Sequence, residues 1–466
     1  MLTATAHRIP VKLPTSSQLA RREPTQEEFE RLVTPSRDNQ KKIETGSKAD
    51  RVDFQTMNQA RQAADSLTFH PLDPFVSSVA SSLDARSVSE PKNPWATEYM
   101  YVSVDDFYAE PIPVEVGLDN GPDAPMMIVL PGIFGGREGG YSTAYKKIAL
   151  ERGMNYAVIA NPLSDESLGE EPVNHPGNIE QEAASTLAIL ERLQEQKPDF
   201  FDKVTLSGYS YGALLAANVA KMDEAKRGEG QDALVDGVIA VSPPENLYHS
   251  MEQLDALRNV YVEGAGPITA TALMYKAELA GLGYERFMES GLADRGEGTN
   301  LTEVKMADKY GSRNGMEDMV ATVDSDFEHN KLPHPFFEYF ERQRVLDNMT
   351  YVQYSGEWFT EDPWMKEQGI TPEQLADRNS YSKALESMTK TPVMTILSGD
   401  DYILKPEDVQ NFEKLEQSSE GLEHVRVLDH GGHVGILYNP AVQDFVGDFA
   451  FSAANWGDKK PPQNQG

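Results

Sequence analysis

Cysteine is absent from all 466 residues, which removes disulfides, thiolate metal sites and a cysteine nucleophile. Basic residues are scarce: 42 Lys and Arg stand against 74 Asp and Glu, a formal charge of −32. A surface of that sign repels phosphate backbones and anionic headgroups, so no nucleic-acid partner is expected. No apolar run approaches the roughly 18 residues of a membrane span, and the mean hydropathy is −0.50. Residues 1–8 lack a basic segment followed by an apolar core, so no export signal is read and a cytoplasmic location is expected. The glycine-rich stretch 131–140 has neither the Gly-Lys-Ser/Thr ending of a P-loop nor the spacing of a dinucleotide fingerprint, which argues against a phosphate cradle.

What is present changes character along the chain. Residues 1–94 are polar, with scattered prolines and charges. They read as a partly helical or disordered extension, with short helices expected near residues 25–32 and 52–67. From Trp95 onward, apolar runs expected to be strands (99–104, 112–116, 126–130, 156–160, 204–207, 238–241, 393–397 and 425–428) alternate with helical patterns. Ile179, Ala183, Leu187, Leu190 and Leu193 recur at helical spacing. Short apolar strands between amphipathic helices predict an α/β architecture, a mostly parallel central sheet with helices on both faces. The alternation stops over residues 245–391, a charged, aromatic-rich and mainly helical stretch. Placed between two core strands, it is expected to form a large cap over the carboxyl ends of the sheet. The predicted organisation is an extension (1–94), a first core part (95–244), the cap insertion (245–391), a second core part (392–456) and a disordered tail (457–466).

The most informative motif is Gly208-Tyr209-Ser210-Tyr211-Gly212, between the β-branched run 204–207 and an alanine-rich helical pattern. A nucleophilic serine needs such a strand–turn–helix setting, with small residues where strand and helix nearly touch. Its hydroxyl also needs a base, and the base needs an orienting acid. Downstream, the strand pattern 393–397 runs into Gly399-Asp400-Asp401, and Asp401 is the expected acid because Tyr402-Ile403-Leu404 follows it. Asp400 is the alternative, and Glu245 is a further candidate. After the last strand, Gly431-Gly432-His433 offers a loop able to bring an imidazole to the serine. His433 is the expected base, with His430 as fallback. An oxyanion site needs inward-pointing amides; Tyr211 supplies one, and Ile133, in the loop Pro131-Gly132-Ile133-Phe134-Gly135-Gly136, is the choice for the other. No metal or organic cofactor is expected. Phe336, Phe337, Tyr339 and Phe340 are candidates for an acyl pocket in the cap, or for its own core.

With these residues assembled, the chain resembles the α/β-hydrolase superfamily from about residue 95 to 451. Within it, the chain is similar to the YheT-like esterase group. That similarity rests on Pro131-Gly132-Ile133-Phe134-Gly135-Gly136, Asn174-His175-Pro176-Gly177, Ser242-Pro243-Pro244-Glu245-Asn246-Leu247, Tyr381-Ser382-Lys383-Ala384 and Gly431-Gly432-His433-Val434-Gly435. Pro131 departs from it, standing where the group usually has histidine. The resemblance implies an α/β-hydrolase fold and a serine hydrolase acting on a small-molecule acyl ester through Ser210, His433 and Asp401. Acyl transfer by the same residues, or a catalytically silent binding protein on this fold, are the alternatives.

Overall fold

The computed structural model describes residues 51–68, 78, 97–170, 172–228, 234–258, 319–321, 323, 324, 327, 331–333, 339–419 and 421–456. The strands are β1 (Thr97–Val102), β2 (Ile112–Gly117), β3 (Met126–Leu130), β4 (Asn155–Val158), β5 (Val204–Tyr209), β6 (Gly237–Val241), β7 (Val393–Ser398) and β8 (Glu423–Leu428). They form one sheet in the order β1-β2-β4-β3-β5-β6-β7-β8. The β1–β2 and β2–β4 pairs are antiparallel, and the other neighbouring pairs are parallel.

Two strands lie earlier than their apolar runs suggest. The run 99–104 yields β1 at Thr97–Val102, because Val104 already accepts turn hydrogen bonds from the Phe107 and Tyr108 amides. The run 156–160 yields β4 at Asn155–Val158, because the chain turns at Asn161, whose amide donates to the Gly135 carbonyl.

The helices are α1 (Met57–Asp65), α2 (Gly140–Glu151), α3 (Asp165–Leu168), α4 (Ile179–Gln196), α5 (Tyr211–Gly228), α6 (Leu247–Arg258), α7 (Tyr339–Asn348), α8 (Tyr351–Glu357), α9 (Pro363–Gln368), α10 (Pro372–Arg378), α11 (Tyr381–Glu386), α12 (Pro406–Ser418) and α13 (Pro440–Ala454). Strand alternation sorts the core into two layers. Met126, Ile128, Leu130, Val238 and Ala240 pack on one face with Ile179, Ala183 and Leu187 of α4 and the alanine-rich side of α5. Met127, Val129, Ile239 and Val241 pack on the other with Tyr145 and Ile148 of α2 and Val442, Phe445 and Phe449 of α13. Parallel strands buried on both faces explain why these segments read as continuous apolar runs. This strand order, with helices on both faces, is the α/β-hydrolase fold.

Helices α6 to α11 fall between β6 and β7, in the stretch expected to interrupt the alternation. Asp255 of α6 accepts from the Tyr351 and Val352 amides at 2.8 and 2.9 Å, satisfying two first-turn donors of α8. Phe336 and Phe337, the side chains of Tyr339 and Phe340, the expected helix at 25–32 and the tail 457–466 lie outside the described residues.

The helix expected at 52–67 occupies Met57–Asp65, started by the Thr56 side chain on the Gln59 amide. It docks on the β8 end of the sheet. Arg61 donates to the Gly421 and Glu423 carbonyls at 2.9 and 2.6 Å, and the Phe54 ring lies 5.7 Å from that of Phe445. Trp456 Nε1 donates to the Phe54 carbonyl at 2.7 Å, and the Phe54 amide to Ser452 Oγ at 2.9 Å. Covering a sheet end in this way shields strand groups that would otherwise pair with another chain. Replacing buried Phe54 by Ala is expected to cost about 3 kcal/mol. Urea unfolding checks this; an unchanged midpoint would mean that the segment does not dock on α13.

Candidate active site

Parallel strands deliver their following loops to one rim of the sheet, and the candidate residues collect there. β5 ends at Tyr209, Ser210 has φ 55°, and α5 begins at Tyr211. This is left-handed backbone for a non-glycine residue, a local strain that surrounding structure must hold. A Cβ on Gly208 would overlap the Gly212 backbone, and one on Gly212 would overlap the Leu130 carbonyl. The two glycines therefore let the turn close against β3. The Ser210 amide donates to the Val241 carbonyl at 2.9 Å, tying the turn to β6 as well.

Ser210 Oγ lies 2.8 Å from His433 Nε2, and His433 Nδ1 lies 2.9 Å from Asp401 Oδ2. A carboxylate accepts only, so Nδ1 carries the proton and Nε2 is left to accept from the serine hydroxyl. Asp401 is buried, and its Oδ1 accepts from the Ile403 amide at 3.1 Å. The Tyr402 ring meets the imidazole edge-on, with centroids 5.9 Å apart.

The neighbouring aspartate does different work. Asp400 Oδ1 accepts from the Gly432 amide at 2.8 Å, and its Oδ2 lies 3.4 Å from His430 Nδ1. Burial pushes the Asp400 carboxyl up from its ordinary value. Both alternatives in the sequence, Asp400 and His430, thus pair with each other and brace the loop that carries His433. That loop needs glycine where it passes β7: Gly431 has φ 144°, and a Cβ there would overlap Ile436 and the Ser398 hydroxyl.

Tyr211 directly follows the serine, and Ile133 follows Gly132 in the 131–136 loop. A Cβ on Gly132, next to Ile133, would lie 3.1 Å from Ser210 Cβ, so the loop lies against the serine side chain at Gly132. Tyr211 opens α5, where first-turn amides lack intrahelical acceptors. A buried anchor and a half-buried one hold the loop 131–137. Asn161 Nδ2 donates to the Pro131 carbonyl at 3.1 Å, and Glu166 accepts from the Arg137 amide and pairs with its guanidinium at 2.7 Å. Backbone amides aimed at a carbonyl oxygen beside a serine hydroxyl can stabilise the negative charge that develops on it.

Glu245, the remaining acid candidate, sits elsewhere. Its carboxylate accepts from the Ser382 amide and hydroxyl at the start of α11, and its own carbonyl accepts from the Tyr381 amide. His175 lies under the helices between β6 and β7. Its amide donates to Asp362 Oδ2 at 2.9 Å, its Nδ1 is 3.3 Å from the same oxygen, and its ring stacks on Phe327.

Sequence reasoning missed two supports. Ser242, with φ 49°, accepts from the Val434 amide at 3.2 Å through its hydroxyl and so holds the residue after His433. Glu182 is buried on α4 and accepts a hydrogen bond from the Tyr211 hydroxyl. Its one signal was position: it lies three residues after Ile179 and four before Thr186, inside the buried stripe of α4. Among the described residues, no group of His, Asp and Glu side chains is arranged to hold a metal ion, and no helix is long and apolar enough to cross a membrane.

No protein-family model matches the sequence, and no curated protein matches it. Solved structures do match in fold. An esterase of Pyrococcus furiosus aligns over 76% of this chain and 90% of its own at 15% identity and a TM-score of 0.37. A thermostable carboxylesterase cloned from a metagenomic library aligns over 86% and 98% at 13% identity and a TM-score of 0.42. The thioesterase domain of the curacin biosynthetic pathway aligns over 75% and 99% at 13% identity and a TM-score of 0.36. At such identity a common fold does not carry a common substrate.

Glu245 yields a prediction about pH. Burial, opposed by the Ser382 hydrogen bonds, raises its carboxyl to about 7. Between its unfolded value near 4.5 and about 7, the folded protein holds a proton that the unfolded chain has released, so stability falls as pH rises through that window and is level above it. Urea unfolding at pH 5 and pH 8 is expected to show Glu245→Gln losing up to about 3 kcal/mol less than the parent across this interval. Equal losses would sink the assignment.

Proposed function

We propose that this protein is a serine hydrolase that cleaves carboxylic esters of small molecules through an acyl-enzyme intermediate. The observation that carries this reading is the continuous hydrogen-bonded path from Ser210 Oγ through the His433 ring to Asp401 at 2.8 and 2.9 Å. In the proposed reaction, Ser210 Oγ attacks the ester carbonyl while His433 Nε2 takes the hydroxyl proton. Asp401 keeps Nδ1 protonated and steadies the imidazolium that forms. The Ile133 and Tyr211 amides receive the oxyanion. His433 then gives its proton to the departing alcohol, and the same cycle with water as nucleophile releases the acid.

In this reading residues 245–391 form a cap over the strand ends, and residues 131–136 form the oxyanion loop. The local similarities to the YheT-like esterases favour an acyl ester over a peptide. Pro131 in place of the group's usual histidine leaves the loop amides in place, because Asn161 holds the Pro131 carbonyl.

The test is labelling by a fluorophosphonate probe, followed by peptide mapping. An adduct on Ser210, absent in Ser210→Ala, is the expected result, together with loss of aryl-ester hydrolysis by about 10⁴-fold or more in that variant. No adduct on folded protein would defeat the reading and favour a silent binding protein. Asp401→Asn is expected to lower kcat by roughly 10³–10⁴-fold through the wrong imidazole tautomer. Asp400→Asn is expected to leave kcat within about ten-fold of the parent while lowering Tm, because it loosens a loop without touching the imidazole. The reverse ranking would reassign the acid.

A further inference from the structure

We propose that Glu182 is a positioning residue for the reacting centre, acting through Tyr211 to hold the amide that follows the nucleophile. The inference rests on the reading of Ser210 as nucleophile and of the Tyr211 amide as an oxyanion donor.

The Glu182 carboxylate joins two separate elements. Oε2 accepts from the Tyr211 hydroxyl on α5, and Oε1 accepts from the Gly177 amide, in the loop before α4, at 2.6 Å. Tyr211 is itself 2% exposed, so its ring is fixed by packing and its hydroxyl by one directed bond. Other ionisable side chains face this pocket from the surrounding elements. Tyr108 comes from the loop after β1, and Tyr354 from α8, where its hydroxyl donates to the Pro176 carbonyl at 2.8 Å; Asp362 stands behind Tyr354. Among the described residues, no Lys or Arg contributes to the electrostatic environment of Glu182. Burial therefore acts against the charge with only two hydrogen bonds opposing it, and the carboxyl is raised to about 7.

A buried acid without a cation is costly, and an apolar residue of similar size would fill the same volume more cheaply. What an apolar residue cannot do is grip two donors from two elements at once. One of those donors belongs to the residue whose main-chain amide lies beside Ser210. A displacement of about half an ångström in an oxyanion donor is enough to weaken its action on the transition state. The carboxylate thus sets the rotation of the first turn of α5 relative to the serine, and it ties that turn to the 174–178 loop.

The test is a double-mutant cycle on the full chain with Glu182→Gln, Tyr211→Phe and the combination. For each, kcat and KM on an aryl ester are measured, with active sites counted by fluorophosphonate titration so that misfolded molecules drop out. Each single change is expected to lower kcat per titrated site by about 5- to 100-fold with KM within about three-fold. The double variant is expected to be no worse than the poorer single, because both changes break one link. A fall of less than five-fold in Tyr211→Phe, a loss confined to KM, or a double variant falling by the product of the singles overturns the proposal. Should Glu182→Gln fail to fold, Tyr211→Phe alone decides, since it removes one hydroxyl and keeps the buried ring. A Ser210→Ala protein that still hydrolyses the ester defeats the underlying reading instead, whatever the Glu182 result.

Discussion

The close approach of β3, β5 and α5 around the Ser210 turn is the constraint on which the rest of the molecule depends. Gly212 lies against the Leu130 carbonyl, and Gly208 lies against Gly212, at separations that no side chain tolerates. The turn places a serine in left-handed backbone, a conformation that costs of order 1 kcal/mol or more and persists only where its surroundings over-determine it. Here the surroundings are the parallel registers β3–β5 and β5–β6 and the two apolar layers on either face of the sheet. Core packing, together with the hydrogen bond from the Ser210 amide to the Val241 carbonyl, keeps the serine lifted.

Around that turn, loops from several strand ends are held by polar groups as well as by buried apolar side chains such as Ile403, Val434 and Ile436. Ser242 holds the Val434 amide, Asp400 the Gly432 amide, Asn161 the Pro131 carbonyl and Glu166 the Arg137 amide. The first three run from one loop to another, and the last from α3 to a loop. A rim built in this way can be stiff where reacting groups must meet, although its backbone is irregular and strained at Ser210, Ser242, Phe134 and Val434. The helices between β6 and β7 join the same network, through Glu245 to α11 and through Asp362 to the His175 amide. A change in how those helices sit would therefore reach the rim through hydrogen bonds.

Much of this was legible in the sequence because its signals are local. Apolar strands, glycine-flanked turns and an alanine-rich helix are written within a few residues of one another, so β3, β5, α5 and the position of Ser210 follow from short windows. The preference for Asp401 over Asp400 rested on the residues just after it, and the structure turns Asp401, not Asp400, toward His433. The ends of β1 and β4 were less legible, because they are set by turns that depend on loop partners. Glu182 was illegible as anything but a polar residue on a helix, since its partners lie 5 and 29 residues away.

By itself, the sequence determined the alternation of strand and helix, the glycines that permit a strained serine turn, and the order of serine, acid and histidine along the chain. These follow from side-chain volume, backbone freedom and periodicity, which are properties of short segments. Only the tertiary structure decided which aspartate faces the imidazole, which carboxylate lies behind Tyr211, and where the N-terminal helix docks. Those outcomes depend on which distant loops the sheet brings side by side, and hydrogen bonds between such loops have no period or spacing that a single chain can display.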